Sequence, residues 1–360
     1  MDGIGWFTYH TLKNITRNHP EVEFHFLFDS GINSDFLFAN NIVPHNLFPP
    51  AKHAFLNVIW FEWSARQLLK KLDPDLFFSP DGLICLSWKG KQHTVLHDIN
   101  FEHRPSDLKF TNRAYYKYFI PRCAEKACHL ATVSEYSKSD IVNTYGIQAE
   151  KIDVIYLGIS ENFSRPVSET VCKRVKEKYA GGSDYFFALG TIQPRKNISR
   201  LMQAFDLFIK ETKSNLKLLI AGKELYRTAE LHRLKAQLKC GENIIFTGRL
   251  AEAELPIILS SSICLVFVPV FEGFGLPAIE AMQCKVPVIA SNVTSIPEIV
   301  GDAALLVDPY SIEEIKNAME RIYFQPALRT ILIEKGGARK QNFNWELTSQ
   351  NLWNSIQKCF

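Results

Sequence analysis

The chain has 360 residues, 46% of them hydrophobic and 22% charged, and its 41 Lys+Arg against 38 Asp+Glu leave a formal charge of +3. That length suits two domains, each with a buried core, and the composition excludes a disordered, collagenous or coiled-coil chain. So small a net charge does not point to nucleic acid as the main partner, although local basic patches stay open.

The opening Met1-Asp2-Gly3-Ile4-Gly5-Trp6-Phe7-Thr8 reads as a glycine-bearing turn feeding an amphipathic stretch. Such a turn ordinarily follows a buried strand; none precedes it here, so a first domain lacking its leading strand is expected. Short apolar runs at 24–28, 76–79, 94–97, 130–133 and 153–157 read as the strands of that domain. Ser134, directly ahead of Glu135, is expected to cap a helix. The polar stretch 160–178 has Arg165-Pro166 and no strand pattern, and reads as the interdomain linker.

Beyond it the rhythm is clearer. Strands are expected at 185–190, 216–222, 243–248, 263–269, 286–291 and 304–307. Between them, 199–210 and 229–239 place apolar residues three and four apart, as helices covering a sheet do. This is the alternation of an α/β fold with a doubly wound parallel sheet covered on both faces. The last segment follows Gly336-Gly337 with helical spacing at Leu347, Leu352, Trp353 and Ile356, and could pack back on the first domain. The expected division is 1–165, 180–343 and a C-terminal helix at 344–360.

Eight scattered cysteines without a Cys-x-x-Cys pair suit reduced thiols and supply no metal ligands. The longest apolar run, 263–271, is broken by Pro269 and reaches about half of the ~20 residues needed to span a bilayer. The start also lacks the basic-then-apolar pattern of an export signal. A cytoplasmic protein is expected.

The most informative segment is Glu272-Gly273-Phe274-Gly275-Leu276-Pro277-Ala278-Ile279-Glu280-Ala281, directly after an expected strand. Gly273 and Gly275 permit a tight turn with close backbone approach, and Pro277 suits the first turn of a helix. Exposed amides at a helix start, at the carboxyl end of a parallel strand, invite phosphate. Glu280 stands among apolar neighbours, where a carboxylate needs hydrogen-bond donors, and Glu272 stands eight residues before it. The two acids could bracket a phosphate-binding turn and accept from ligand hydroxyls. A helix-dipole glutamate and an unrelated loop acid fit the same spacing equally well.

A second loop, Leu189-Gly190-Thr191-Ile192-Gln193-Pro194-Arg195-Lys196-Asn197, also follows a strand. Arg195 and Lys196 there could neutralise a diphosphate, or be solvated surface charges. His97-Asp98 ends the third strand of the first half, in a place for a cleft residue or for a locally satisfied structural histidine. Between Lys109 and Arg122, bases alternate with Tyr115, Tyr116, Tyr118 and Phe119, as on a solvated helix or an amphipathic face near a membrane.

Taken together, EGFGLPAIEAM, VPVIAS, LGTIQPRKN, LIAGK, FTGRL, HDINFEHRP, TVSEYSKSDI and GIGWFTYHTL resemble the retaining GT-B glycosyltransferases of family 4, which include many mannosyltransferases and glucosyltransferases. The likeness covers nearly the whole chain. It implies two Rossmann-like domains facing across a cleft, with the nucleotide diphosphate sugar on the C-terminal one and the acceptor, a saccharide or lipid-linked saccharide of the cell envelope, on the N-terminal one.

By that resemblance Glu280 binds ribose hydroxyls. Glu272 and the backbone of Phe274, Gly275 and Leu276 hold donor sugar and phosphate, with Gly190 beside them. Arg195 and Lys196 stabilise the departing diphosphate. His97 sits beside the transferred hexose, and Gly5 approaches the phosphates. No cofactor or metal is expected, because fixed cations and a helix N-terminus supply the charge. GDP-mannose is the expected donor. Peripheral contact with the inner face of the membrane is compatible with the basic aromatic segment.

Two other readings compete with this one. A nicotinamide-dependent dehydrogenase would need a third small residue after Gly3 and Gly5 and a strand before them, and neither is present. A non-catalytic nucleotide-sugar-binding protein on the same fold would show the same residues.

Overall fold

The computed structural model describes residues 3–51, 53–225 and 228–360. The chain divides into two compact units, Met1–Gly158 with Asn344–Phe360, and Ile159–Phe343.

The first unit opens with the helix Gly3–Asn18, which buries Phe7, Thr11 and Ile15 at four-residue intervals. This corrects the expected glycine turn. From Gly3 onward the segment is helical and Gly5 lies in its first turn; Met1 and Asp2 lie outside the described residues. Strands β1 (Phe24–Phe28) and β2 (Ile42–Asn46) form a parallel pair. The sequence pattern does not disclose β2, because Pro44 interrupts it and its end is polar. Strands β3 (Phe77–Ser79), β4 (Gln92–Val95), β5 (His129–Thr132) and β6 (Ile152–Val154) make a parallel sheet in the order β3-β4-β5-β6.

Strand β4 starts and stops two residues earlier than its apolar pattern suggests, so His97 lies beyond its end. Buried Gln92 can enter the strand because its side-chain amide accepts from Cys85 N at 3.0 Å and donates to Cys85 O at 2.8 Å. Ser134 caps the helix Glu135–Tyr145 by accepting from Ser137 N at 3.1 Å.

The C-terminal helix Trp345–Gln357 belongs to this unit and packs on the opening helix, burying Leu352 and Ile356. Just beyond it, Cys359 is joined to Cys128 in a disulfide. That corrects the expectation of eight reduced thiols: the partners are 231 residues apart and meet only because the helix end lies against the start of β5. No local spacing could disclose the pair.

The second unit carries six parallel strands, β7 (Tyr185–Leu189), β8 (Lys217–Ala221), β9 (Ile244–Gly248), β10 (Cys264–Phe267), β11 (Val288–Ser291) and β12 (Leu305–Val307). Their order is β12-β11-β10-β7-β8-β9. Alternate side chains feed two cores. Phe186, Leu218 and Val266 pack with Phe205, Phe208, Met319 and Ile322 of the helices Ile198–Thr212 and Ile312–Phe324. Tyr185, Phe187 and Leu265 pack on the opposite face with Ala278, Ala281 and Met282 of the helix Leu276–Gln283.

The expected linker is corrected too: 160–178 runs into the helix Glu169–Ala180, capped by Ser168, and Val175 and Tyr179 pack against the second of these cores. Its stripe is only two or three residues wide and was hidden by flanking lysines and glutamates.

This strand order decides where a ligand can sit. Chain order runs outward from β7 through β8 to β9, then returns to β10 on the other side of β7. The loops after β7 and β10 therefore leave neighbouring strands at the carboxyl edge where the winding reverses, the crevice in which open α/β sheets bind ligands.

Candidate functional site

The two loops singled out in the sequence are those two loops. About seventy-five residues separate them along the chain; the β7–β10 pairing, with Leu265 opposite Phe187, brings them side by side. Asn197 ties them together. Its backbone is left-handed, at φ 61°, and its buried side-chain amide donates to Val268 O at 3.0 Å and Pro309 O at 2.7 Å. Val270 N also donates to Arg195 O at 2.9 Å. The β7 loop must pass close to β8 as well, since a Cβ on Gly222, at φ 152°, would fall 1.9 Å from Gly190 O.

The result is a three-membered charge cluster. Glu272, 8% exposed, accepts from the Arg195 guanidinium on one carboxylate oxygen and from the Lys196 ammonium on the other. Arg195 donates further to Phe271 O at 3.2 Å, and the Lys196 ammonium lies 5.2 Å over the Phe267 ring. Burial works to raise the Glu272 carboxyl, but the two adjacent cations outweigh it and hold the group below the ordinary carboxylate range. Glu272 is thus an ionised residue that orients both bases. Glu272 is expected at the ligand and the bases at a diphosphate; the structure pairs the three with one another, leaving one net positive charge.

Past Glu272 the chain turns through Gly275, at φ 108°, where a Cβ would meet Ile296 Cδ1 at 2.7 Å. Ser295 pins the turn by donating to Glu272 O at 2.9 Å and Phe274 O at 3.2 Å, while Thr294 Oγ1 accepts from Glu272 N at 3.3 Å. The Phe274 ring is buried and meets Phe343 edge to face at 5.7 Å, so only its backbone is available to a ligand. The N–H groups of Gly275 and Leu276 have no hydrogen-bond partner among the described residues, although Gly275 is buried. Unmet amides at a helix start form a place for an anion.

Glu280 lies on the helix that this turn begins. It is partly buried, its carboxylate has no hydrogen bond or ion pair among the described residues, and burial pushes its pKa up to about 7. The expectation that it accepts hydrogen bonds is not met by protein groups.

In the first unit, His97 follows β4 and its Nε2 lies 3.0 Å from Pro80 O. Phe7 meets its ring edge to face at 4.9 Å, which places the first turn of the opening helix, with Gly5, at the same carboxyl edge of the sheet. His97 is thereby positioned by packing as well as by hydrogen bonding. Among the described residues no group of three or more His, Cys, Asp or Glu is arranged to hold a metal ion.

Comparison with known proteins gives this arrangement a family. Glycosyltransferase Family 4 matches residues 1–163, and Glycosyl transferases group 1 matches residues 173–339. The chain belongs to the family 4 glycosyltransferases. Among its relatives, the O-antigen chain mannosyltransferase B of Escherichia coli is 32% identical over 258 residues, covering 70% of this chain and 66% of that protein. The O-antigen chain mannosyltransferase RfbU of Salmonella typhimurium is 26% identical over 338 residues, covering 89% and 87%.

The chain spans 32% of the length of the Escherichia coli serotype-specific mannosyltransferase WbdA, at 27% identity. The solved structure of WaaG, a glycosyltransferase involved in lipopolysaccharide biosynthesis, has a TM-score of 0.77 at 14% identity, covering 98% of this chain and 95% of WaaG. Sucrose-phosphate synthase from Thermosynechococcus elongatus gives 0.80 at 18%, covering 99% and 94%. The expected GT-B fold class, with two parallel-sheet α/β domains, is the one found.

Three supporting residues of this family 4 chain went unread in its sequence: Asn197, Thr294 and Ser295. Asn197 had a trace, as a residue able to take left-handed backbone directly before an amphipathic helix. Thr294 and Ser295 had none, because their role depends on where the β11 loop passes.

Proposed function

We propose that the chain is a retaining hexosyltransferase that takes mannose from GDP-mannose, or a related nucleotide diphosphate sugar, to a saccharide or lipid-linked saccharide acceptor in cell-envelope polysaccharide synthesis. The observation that carries this reading is the pairing, at one reversal point of the second sheet, of an anion-seeking turn with a carboxylate that protein groups leave unsatisfied. A nucleotide diphosphate sugar meets both needs. Its diphosphate takes the Gly275 and Leu276 amides and the net charge of Arg195, Lys196 and Glu272; its ribose hydroxyls donate to Glu280. Mannosyltransferase relatives support the hexose, and they share the O-antigen setting.

In the reaction, the bond from the sugar C1 to the diphosphate oxygen breaks and the acceptor oxygen bonds C1 on the same face. The acceptor proton passes to the departing diphosphate. Arg195, Lys196 and the helix N-terminus stabilise the negative charge that grows on that oxygen, the work a metal ion does elsewhere, so turnover is expected to persist in chelator. The reading gives His97 to the transferred hexose, supported by its place just beyond β4.

The same reading includes peripheral contact with the cytoplasmic face of a membrane. Along the helix Phe110–Lys126, Phe110, Lys117, Tyr118 and Arg122 share an exposed face, with Arg113 5.3 Å over the Phe110 ring and Arg122 3.8 Å over that of Tyr118. The helix Ala54–Ile59 packs beside it and exposes Phe55. Aromatics flanked by bases suit an anionic lipid surface. Among the described residues no helix is long and apolar enough to cross a membrane.

The deciding experiment is a panel of GDP-, UDP- and ADP-sugars measured by thermal shift and by release of nucleoside diphosphate on adding acceptor saccharide. A stabilising donor whose diphosphate is released only with acceptor is the expected outcome. Stabilisation without release under any acceptor selects the binding-protein alternative. Cosedimentation with phosphatidylglycerol vesicles, lost in Phe110→Ser with Tyr118→Ser, is the outcome expected of the membrane face; equal pelleting of the variant removes it.

A further inference from the structure

At the opposite end of the first unit's sheet lies a hollow that the proposed reaction does not use. Its volume is about 650 Å³, and its walls include Arg66, Lys70, Lys89, Lys91, Trp88 and Phe360. Asp73 and Asp75 also border it. It is built where the chain enters β3 and β4, at their amino ends, so the full length of β4 separates it from His97.

Three features make it more than a solvated surface. None of the four cations is in an ion pair among the described residues, although two carboxylates line the same hollow. The Nε–H of Arg66 is buried without a hydrogen-bond partner among the described residues, and a buried donor left unmet is costly enough that native structures seldom keep one idle. One wall is aromatic: buried Trp88 folds so closely over Gly90 that a Cβ there would stand 2.1 Å from the indole, and exposed Phe360 carries the Lys91 ammonium 5.0 Å over its ring.

We propose that this hollow is a second ligand site, separate from the donor site, for a phosphorylated saccharide free in solution. The guanidinium of Arg66 and the ammonium groups of Lys70 and Lys89 take the phosphate, since guanidinium and ammonium groups together match its charge and its oxygens. The Trp88 and Phe360 rings take the C–H face of the sugar. Asp73 and Asp75 accept from its hydroxyls and weigh against a bare polyanion. The volume suits a molecule of this size.

The chain's six tryptophans, Trp6, Trp60, Trp63, Trp88, Trp345 and Trp353, all lie in the first unit, and Trp88 is the one that lines the hollow, so its own resonance has to be read apart from the other five. Protein labelled with 5-fluorotryptophan, its Trp88 fluorine resonance assigned through Trp88→Phe, is titrated with mannose 1-phosphate and separately with inorganic pyrophosphate and with mannose. The expected result is a saturable shift of the Trp88 resonance with mannose 1-phosphate and none with mannose. Combining Lys70→Glu with Lys89→Glu is expected to weaken binding by about tenfold or more, the scale of a lost charge-assisted contact. Arg66→Gln should weaken it too, with the other tryptophan resonances unmoved as a check on folding. A Trp88 resonance unmoved by millimolar mannose 1-phosphate, an equal affinity in the double variant, or tighter binding of pyrophosphate than of mannose 1-phosphate would overturn the proposal.

Discussion

Replacing Glu280 with Gln tests the chemistry of the proposed donor site without ligand and then with it. Burial moves this carboxyl from 4.5 to about 7, and at about 1.4 kcal/mol per pH unit the ionised form is disfavoured by about 3 kcal/mol. Solvent still reaches the partly buried side chain, which trims the figure to about 2 kcal/mol. The sign follows from proton counts. Below the unfolded value both states hold the proton and nothing is lost. Between 4.5 and about 7 the unfolded chain releases its proton first, so stability falls as pH rises; above 7 the full penalty stands.

Glutamine carries no charge to bury, so the variant should match the parent at low pH and exceed it in alkali. For a unit of this size, about 2 kcal/mol corresponds to roughly 4–8 °C in Tm. Donor binding reverses the balance, because hydroxyls that donate to the carboxylate favour its ionised form. Thermal shift by GDP-mannose should therefore grow through neutral pH in the parent and stay small and flat in the variant. Differential scanning calorimetry across that range, with and without nucleotide, checks both halves. A Tm offset between variant and parent that is constant with pH would refute the argument from burial. An undiminished nucleotide shift in the variant would remove Glu280 from ribose binding.

Lys196→Ala leaves buried Glu272 with one cation instead of two; a loss of about 1–3 kcal/mol in denaturant unfolding and a fall in kcat of about a hundredfold are expected, since a preorganised charge near the leaving oxygen is removed. Gly222→Ala forces a Cβ against the Gly190 carbonyl in a backbone conformation side chains rarely adopt, so thermal unfolding should show a loss of about 2–4 kcal/mol together with weaker donor binding. In the first unit, burial lowers His93 to about 3; the unfolded chain takes up this proton near 6.5, so stability should fall as pH drops from there toward 3, and His93→Gln should flatten that fall in acid-titrated circular dichroism.

Strand placement was legible in the second unit because its inner strands are buried on both faces and read as continuous apolar runs between amphipathic helices. The first unit was harder where polar residues enter strands: Gln92 is satisfied by Cys85 seven residues before it, whereas the Nε2 of His93 meets Ser355 on the distant C-terminal helix. The Cys128–Cys359 bond and the helix at Glu169–Ala180 were missed for related reasons. One depends on two distant chain ends meeting, and the other shows a narrow stripe among charges. At the site, residue types in the two loops marked where charged groups gather, but not how the charges are shared. That Glu272 spends its charge on Arg195 and Lys196 could be learned only from the β7–β10 pairing, which sets the loops against each other.

That sharing gives the acids opposite characters although they stand only eight residues apart. Two half-buried cations keep Glu272 ionised, whereas Glu280, with no cation beside it among the described residues, is driven toward neutrality by burial. Environments that push neighbouring carboxyls apart mark a division of labour. Glu272 holds Arg195 and Lys196 at the loop before any ligand comes, so their placement costs little when the donor arrives. Glu280 has no hydrogen-bond partner among the described residues, so under the proposed function part of the free energy of nucleotide binding is the relief of that burial. A ligand supplying phosphate without hydroxyls would gain only the first effect. The site should therefore prefer nucleotide diphosphates over inorganic pyrophosphate by more than base contacts explain, and most strongly above neutral pH.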